Sequence, residues 1–99
     1  SEVLEIENNE VKEFILVLSI SQSPSWIKLD IDGENKISQV LQPNTQHEYK
    51  VENNFTLVTG RVQNTILTIN NETIPIASSS QSGIGQLTCS IENSELKCE

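Results

Sequence analysis

The chain contains no methionine, and only four of its 99 residues are aromatic: Phe14, Trp26, Tyr49 and Phe55. Glycine (four), proline (three) and cysteine (two) are almost as scarce, and His47 is the single histidine. Methionine is missing even at position 1, so the chain is expected to be a processed or excised piece of something longer. Four glycines leave no phosphate-cradling loop. A lone histidine without a nucleophile-elbow motif gives catalysis little to work with, so no residue is assigned a catalytic or cofactor-binding role.

Basic residues are also few: six against fourteen acidic ones, for a net charge of −8. A nucleic-acid surface needs clustered Lys and Arg to release counterions, whereas Lys12, Lys28, Lys36, Lys50, Arg61 and Lys97 are scattered singly. Nucleic acid is not a partner this charge pattern suits, and an acidic membrane surface would repel it. The longest apolar run is FILVL, residues 14–18. A span needs ~20 residues, and Ser1 to Glu10 is too acidic and polar for a signal peptide, so any anchor or export signal is expected upstream.

What remains is a chain of alternating aliphatics. Ile27, Leu29 and Ile31 alternate with Trp26, Lys28 and Asp30; Tyr49 and Val51 with Glu48 and Lys50; Phe55 and Leu57 with Thr56. Period two of this kind reads as half-buried strands. Residues 11–20, VKEFILVLSI, are apolar on both faces near the middle, and a central strand fits them better than a helix. Ile66 to Ile69 ends at Asn70-Asn71, a pair suited to a two-residue hairpin that sets Leu67 opposite Ile74 and Thr68 opposite Thr73. Pro75 then confines the second arm to a sheet edge. Residues 77–85, ASSSQSGIG, read as a loop. The fold expected is all-β, a small antiparallel Ig-like sandwich over residues 11–99 with a C-terminal hairpin, preceded by a linker or first edge strand at 1–10.

Cys89 and Cys98 flank SIENSELK. A two-residue loop at Asn93-Ser94 places Glu92 opposite Glu95, Ile91 opposite Leu96, Ser90 opposite Lys97 and Cys89 opposite Cys98. Opposed strand positions that exchange no ladder hydrogen bonds bring β-carbons close to disulfide distance. A disulfide is therefore expected, and with it an oxidising compartment. A zinc site is the weaker reading, because zinc wants four ligands and His47 is distant in sequence.

KLDIDGENK, residues 28–36, resembles a calcium loop at first sight. With Gly33 at position 6 of an EF-hand loop, position 1 is Lys28 and position 12 is Gln39; starting at Asp30 instead gives Asn35 and Leu41 where glycine and glutamate belong. No metal ligand is assigned. Ile27, Leu29, Ile31, Ile37 and Leu41 share one parity, so a turn holding an odd number of residues, DGE or DGENK, is expected. Asp30, Asp32 and Glu34 read as solvated turn carboxylates. NFT (54–56) and NET (71–73) match the glycosylation acceptor pattern, which chance supplies readily in an Asn- and Thr-rich chain. Trp26 has the opposite parity to Ile27 and Leu29; it covers a second small core or lies exposed as a contact residue, the core being the commoner outcome.

SWIKLDIDGENKISQVLQPNTQHEYKV, then FTLVTG and ILTINNETI, resembles the C-terminal extracytoplasmic domain of RodZ-like bacterial cell-shape proteins. Trp26, Ile27 and Leu29 match its Trp-led strand, Leu41 to Asn44 its first Leu-x-x-Gly turn, and Tyr49 its aromatic strand. Leu57 to Gly60 matches the next Leu-x-x-Gly segment, and Ile66 to Ile74 the closing hairpin. The pattern covers residues 11 to about 76. Asn44 and Asn71 stand where the family usually has glycine, and asparagine is the next most tolerant of positive φ. Arg61-Val62 replaces a small pair.

The resemblance implies a cytoplasmic helix-turn-helix domain, one membrane span, a linker and this β domain outside. That outer domain is non-catalytic and contacts the wall-building machinery or its own kind. The alternative is a secreted carbohydrate- or adhesin-type binding module, with Trp26 and Tyr49 as the contact residues.

Overall fold

The computed structural model describes residues 13–78 and 83–99. The expectation for residues 1–10 lies outside them. Ten strands follow in order: β1 (Phe14–Ile20), β2 (Ser25–Ile31), β3 (Glu34–Leu41), β4 (Thr45–Val51), β5 (Asn54–Thr59), β6 (Thr65–Ile69), β7 (Glu72–Thr73), β8 (Ala77–Ser78), β9 (Gly85–Glu92) and β10 (Glu95–Cys98), with a 3₁₀ turn at Val62–Asn64. They form two antiparallel sheets, β4-β1-β6-β7 and β10-β9-β5-β2-β3, with β8 also paired to β9. The architecture is an Ig-like sandwich.

The alternation in the sequence becomes its two inner faces. Phe14, Leu16, Leu18 and Ile20 of β1 and Leu67 and Ile69 of β6 meet Ile27, Leu29 and Ile31 of β2 and Phe55 and Leu57 of β5, all buried. The central placement of β1, between β4 and β6, explains its apolar middle. One end of this core is polar. Thr59, fully buried, has its hydroxyl 3.0 Å from that of Ser25 and 2.7 Å from that of Thr65. Thr65 in turn donates to the Arg61 carbonyl, so these buried hydroxyls are satisfied.

The hairpins are set by residues that accept positive φ. Asn70 and Asn71 (φ 52° and 69°) close β6–β7 with Thr68 opposite Thr73, and Asn93 and Ser94 (φ 53° and 63°) close β9–β10. Pro75 falls just past the two residues of β7, the edge of its sheet. Asn70 does more than turn the chain. Its side-chain oxygen accepts from the Ile15 amide, and its side-chain nitrogen donates to the Glu13 carbonyl, prolonging the β1–β6 ladder.

Three expectations are corrected. The β2–β3 loop holds two residues, Asp32 and Gly33 (φ 52° and 84°), because Ile31 pairs with Glu34. The register then shifts between Leu29 and Asp30: Asp30 faces Asn35 and Leu29 faces Ile37, leaving Lys36 as a bulge residue. The extra residue needed for odd-to-odd pairing is therefore supplied by the bulge. Second, the stretch expected to be a loop begins with β8, where Ala77 and Ser78 pair with Gln86 and Gly85. Residues 79–82 lie outside the described ones. Third, Trp26 is 42% exposed. Its strand packs its other face on the core, and among the described residues no layer covers the outer face of that sheet.

Candidate interaction surface

The acidic turn is used structurally. The Asp32 carboxylate accepts main-chain N–H bonds from Asn53 (2.6 Å), Glu52 (3.0 Å) and Asn54 (3.0 Å), so the β2–β3 turn clasps the β4–β5 turn. Burial alone would raise this carboxyl group; the three donors more than offset that and hold it below its ordinary value. Three of its roughly four acceptor positions are taken by the backbone. Asp30 accepts from the Asn35 side chain at 2.7 Å. Glu34 binds Lys36 at 2.9 Å, and that hydrogen bond, with the accompanying charge, raises the lysine. Asp32, Glu34, Lys36, Lys50 and Glu52 line an open cleft of about 290 Å³ between β3 and β4. Among the described residues no cluster of His, Cys, Asp or Glu is arranged to hold a metal ion.

His47 points inward on the edge strand β4, opposite Leu18. Its Nε2 lies 3.3 Å from the Thr45 hydroxyl, which itself donates to the Gln42 carbonyl at 2.7 Å. The hydroxyl proton is thus committed to the backbone, and the contact positions the ring. Asn54 and Asn71 of the two acceptor-pattern triplets are both exposed, the first at the start of β5 and the second in a hairpin turn.

Cys89 and Cys98 are joined by a disulfide, with Cα atoms 4.0 Å apart, directly opposite each other across β9 and β10. Cys89 is buried and Cys98 exposed, so the bridge ties the short outer strand to the core. Leu96 and Ile91 pack half-buried beside it.

The two aromatic contact candidates fall on different surfaces. Trp26 stands on the outer face of its sheet, opposite Val40 on β3, with Gly60 on its other side donating to the Trp26 carbonyl at 2.9 Å. Tyr49 faces inward on β4, opposite Leu16, and packs half-buried against the core. Strand parity within each sheet separates them. Val40, 52% exposed, joins Trp26 in an apolar pair beside the free edge. Sequence reasoning did not single out Val40, although it shares the parity of Trp26, because alternation does not say which strand ends the sheet.

Charge is also segregated. Asp30, Asp32, Glu34, Glu52, Glu92 and Glu95 crowd the end that carries the turns at 32–33, 52–53 and 93–94. The turns of the opposite end, 21–24, 42–44, 60–64 and 83–84, contain one charged residue, Arg61. Trp26, Val40, Ile66 and Ile84, the exposed large hydrophobics among the described residues, all lie toward that end.

Comparison with protein families matches residues 17–88 to the RodZ C-terminal domain. The chain belongs to this family. The match runs from the middle of β1 into β9 and stops one residue before Cys89, so the disulfide-bonded β9–β10 hairpin lies at and beyond the end of the shared RodZ segment. No curated protein and no solved structure matches the chain.

Proposed function

We propose that this RodZ-type domain is a non-catalytic, extracytoplasmic module of a membrane-anchored cell-shape protein. It works by contact with protein partners of the wall-building or division machinery, or with its own kind. Membership of the RodZ C-terminal domain family carries this reading. The Cys89–Cys98 bridge supports a location outside the reducing cytosol. Asp30, Asp32 and Glu34, the carboxylates of the acidic turn, are engaged in hydrogen bonds and ion pairs, which supports a contact role over chemistry. Attachment to the membrane falls to a span upstream of this domain.

Exposure of Trp26 alone favours the secreted carbohydrate-binding alternative. The inward position of Tyr49 removes the second aromatic of that platform.

Thiol trapping in intact cells tests the location. With alkylation before lysis, the pair should resist modification, and removal of this domain from the full-length protein should alter cell width. A reduced, fully alkylated pair in cells would count against the extracytoplasmic assignment; unchanged cell shape on deletion would count against the role.

A further inference from the structure

β3 ends its sheet, and no described strand lies beyond it. Its pairing with β2 determines which of its backbone groups are free. A two-residue loop makes Ile31 and Glu34 a hydrogen-bonded pair. Counting on through the bulge, Ile27–Gln39 and Ser25–Leu41 are also bonded pairs, whereas Lys28–Ser38 and Trp26–Val40 are not. The Gly60 amide bound to the Trp26 carbonyl agrees, since it shows Trp26 turned toward β5. Ser38 and Val40 therefore direct their N–H and C=O groups outward from the sheet edge.

We infer that this edge pairs with the same edge of a second copy, antiparallel, about a two-fold axis at Gln39. In that register Ser38 meets Val40 of the second copy twice over, and these are the positions whose backbone groups are free. Gln39 meets its own equivalent in a non-bonded pair. Ile37, buried at 5% exposure, stands opposite Leu41, buried at 4%, so the two cores continue into one another. On the outer face the exposed Val40 and Trp26 of both copies come together beside the new seam.

The ends of the segment limit the pairing to these residues. The bulge at Lys36 interrupts the ladder on one side, and Pro43, which has no N–H, ends it on the other. Electrostatics favour the same choice. Residues 37–42, ISQVLQ, carry no charge in a chain of net −8, and the register sets Lys36 opposite Gln42 and Glu34 opposite Asn44. No like charges meet. Edges are commonly guarded by inward-pointing charges; here the inward position is held by the neutral Gln39, whose amide can bond its equivalent across the axis. The pairing rests on the edge itself, so it stands or falls independently of the cellular role proposed above.

Sedimentation equilibrium should show wild-type protein moving from monomer to dimer mass as concentration rises to about 0.5 mM, a range that populates even a sub-millimolar contact. Val40→Lys should lower the dimer affinity at least tenfold while leaving the far-ultraviolet spectrum unchanged.

Gln39→Cys supplies a register test that does not depend on affinity. It is the one position opposite itself, and since both native cysteines are already paired, its oxidation should give an intermolecular disulfide. Ser38→Cys, opposite Val40, should cross-link poorly. A wild type that stays monomeric over the whole range, or equal cross-linking by the two cysteine variants, would overturn the inference.

Discussion

The Asp32 carboxylate lies 2.6 Å from the Asn53 amide, twenty-one residues away in the chain, and joins the β2–β3 and β4–β5 turns. That bond and its two neighbours from Glu52 and Asn54 turn a sequence resembling an ion-binding loop into a clasp between two hairpins.

Replacing Asp32 by Ala should destabilise the domain by about 1–2 kcal/mol, the range for losing partly exposed charge-assisted hydrogen bonds. The effect should depend on pH. The folded-state pKa lies below the ordinary carboxylate value, so the contribution is complete above about pH 5 and is lost as pH falls through the folded-state pKa. Urea midpoints of wild type and Asp32→Ala should differ clearly at pH 7 and converge toward pH 2.

Gly85 and Gly60 make a matched pair. A β-carbon on Gly85 would run into the Val62 side chain and come within 2.9 Å of an Ile76 methyl and 3.0 Å of the Ala77 carbonyl. Gly85→Ala should cost about 1–3 kcal/mol through overpacking. At Gly60 the nearest atoms are 3.7–3.8 Å away, all on Trp26, so Gly60→Ala should stay within about 0.5 kcal/mol of wild type. Thermal unfolding of the two variants side by side checks the contrast.

Reduction of the Cys89–Cys98 bridge should lower stability by about 2–3 kcal/mol, the loop-closure term for a loop this short. Denaturation with and without a phosphine reductant measures it, with the Cys89→Ala, Cys98→Ala double variant as the covalent control. Thiol titration of the unfolded, unreduced protein should find no free thiol.

Trp26 is the single tryptophan and 42% exposed, so the intrinsic fluorescence reports one surface position. Its emission should be shifted toward that of solvated indole and quenched readily by acrylamide. A shielded, blue-shifted emission in dilute protein would contradict its placement on the outer face.

Local chemistry was enough for much of the fold. Period-two alternation identifies the strands at 25–31, 45–51 and 54–59, because a pleated strand must present one face to the core and one to water, while the doubly apolar run at 14–20 reads as a central strand. Asparagine pairs and turn residues predict the hairpins at 70–71 and 93–94, and the second of these places Cys89 opposite Cys98. These relations are local in sequence, so residue order is enough to express them. The Trp-led strand and the turns that follow it also carry the family pattern, and residues 17–88 fall within that family.

Only the tertiary structure decided the rest. The odd-to-odd pairing of β2 with β3 comes from a two-residue turn plus a bulge at Lys36, and parity alone cannot tell that combination from an odd-numbered loop. Asp32 meets its three donors only because β2 and β5 are neighbours, a long-range pairing to which no local rule refers. Parity sets Trp26 on the face away from Ile27 and Leu29 and Tyr49 on the face of Val51, but only the assembled sheets show that the outer face of β2 is left uncovered among the described residues. Residue order sets the period of each strand; which sheet a strand joins, and whether a layer covers its outer face, follows from packing of the whole chain.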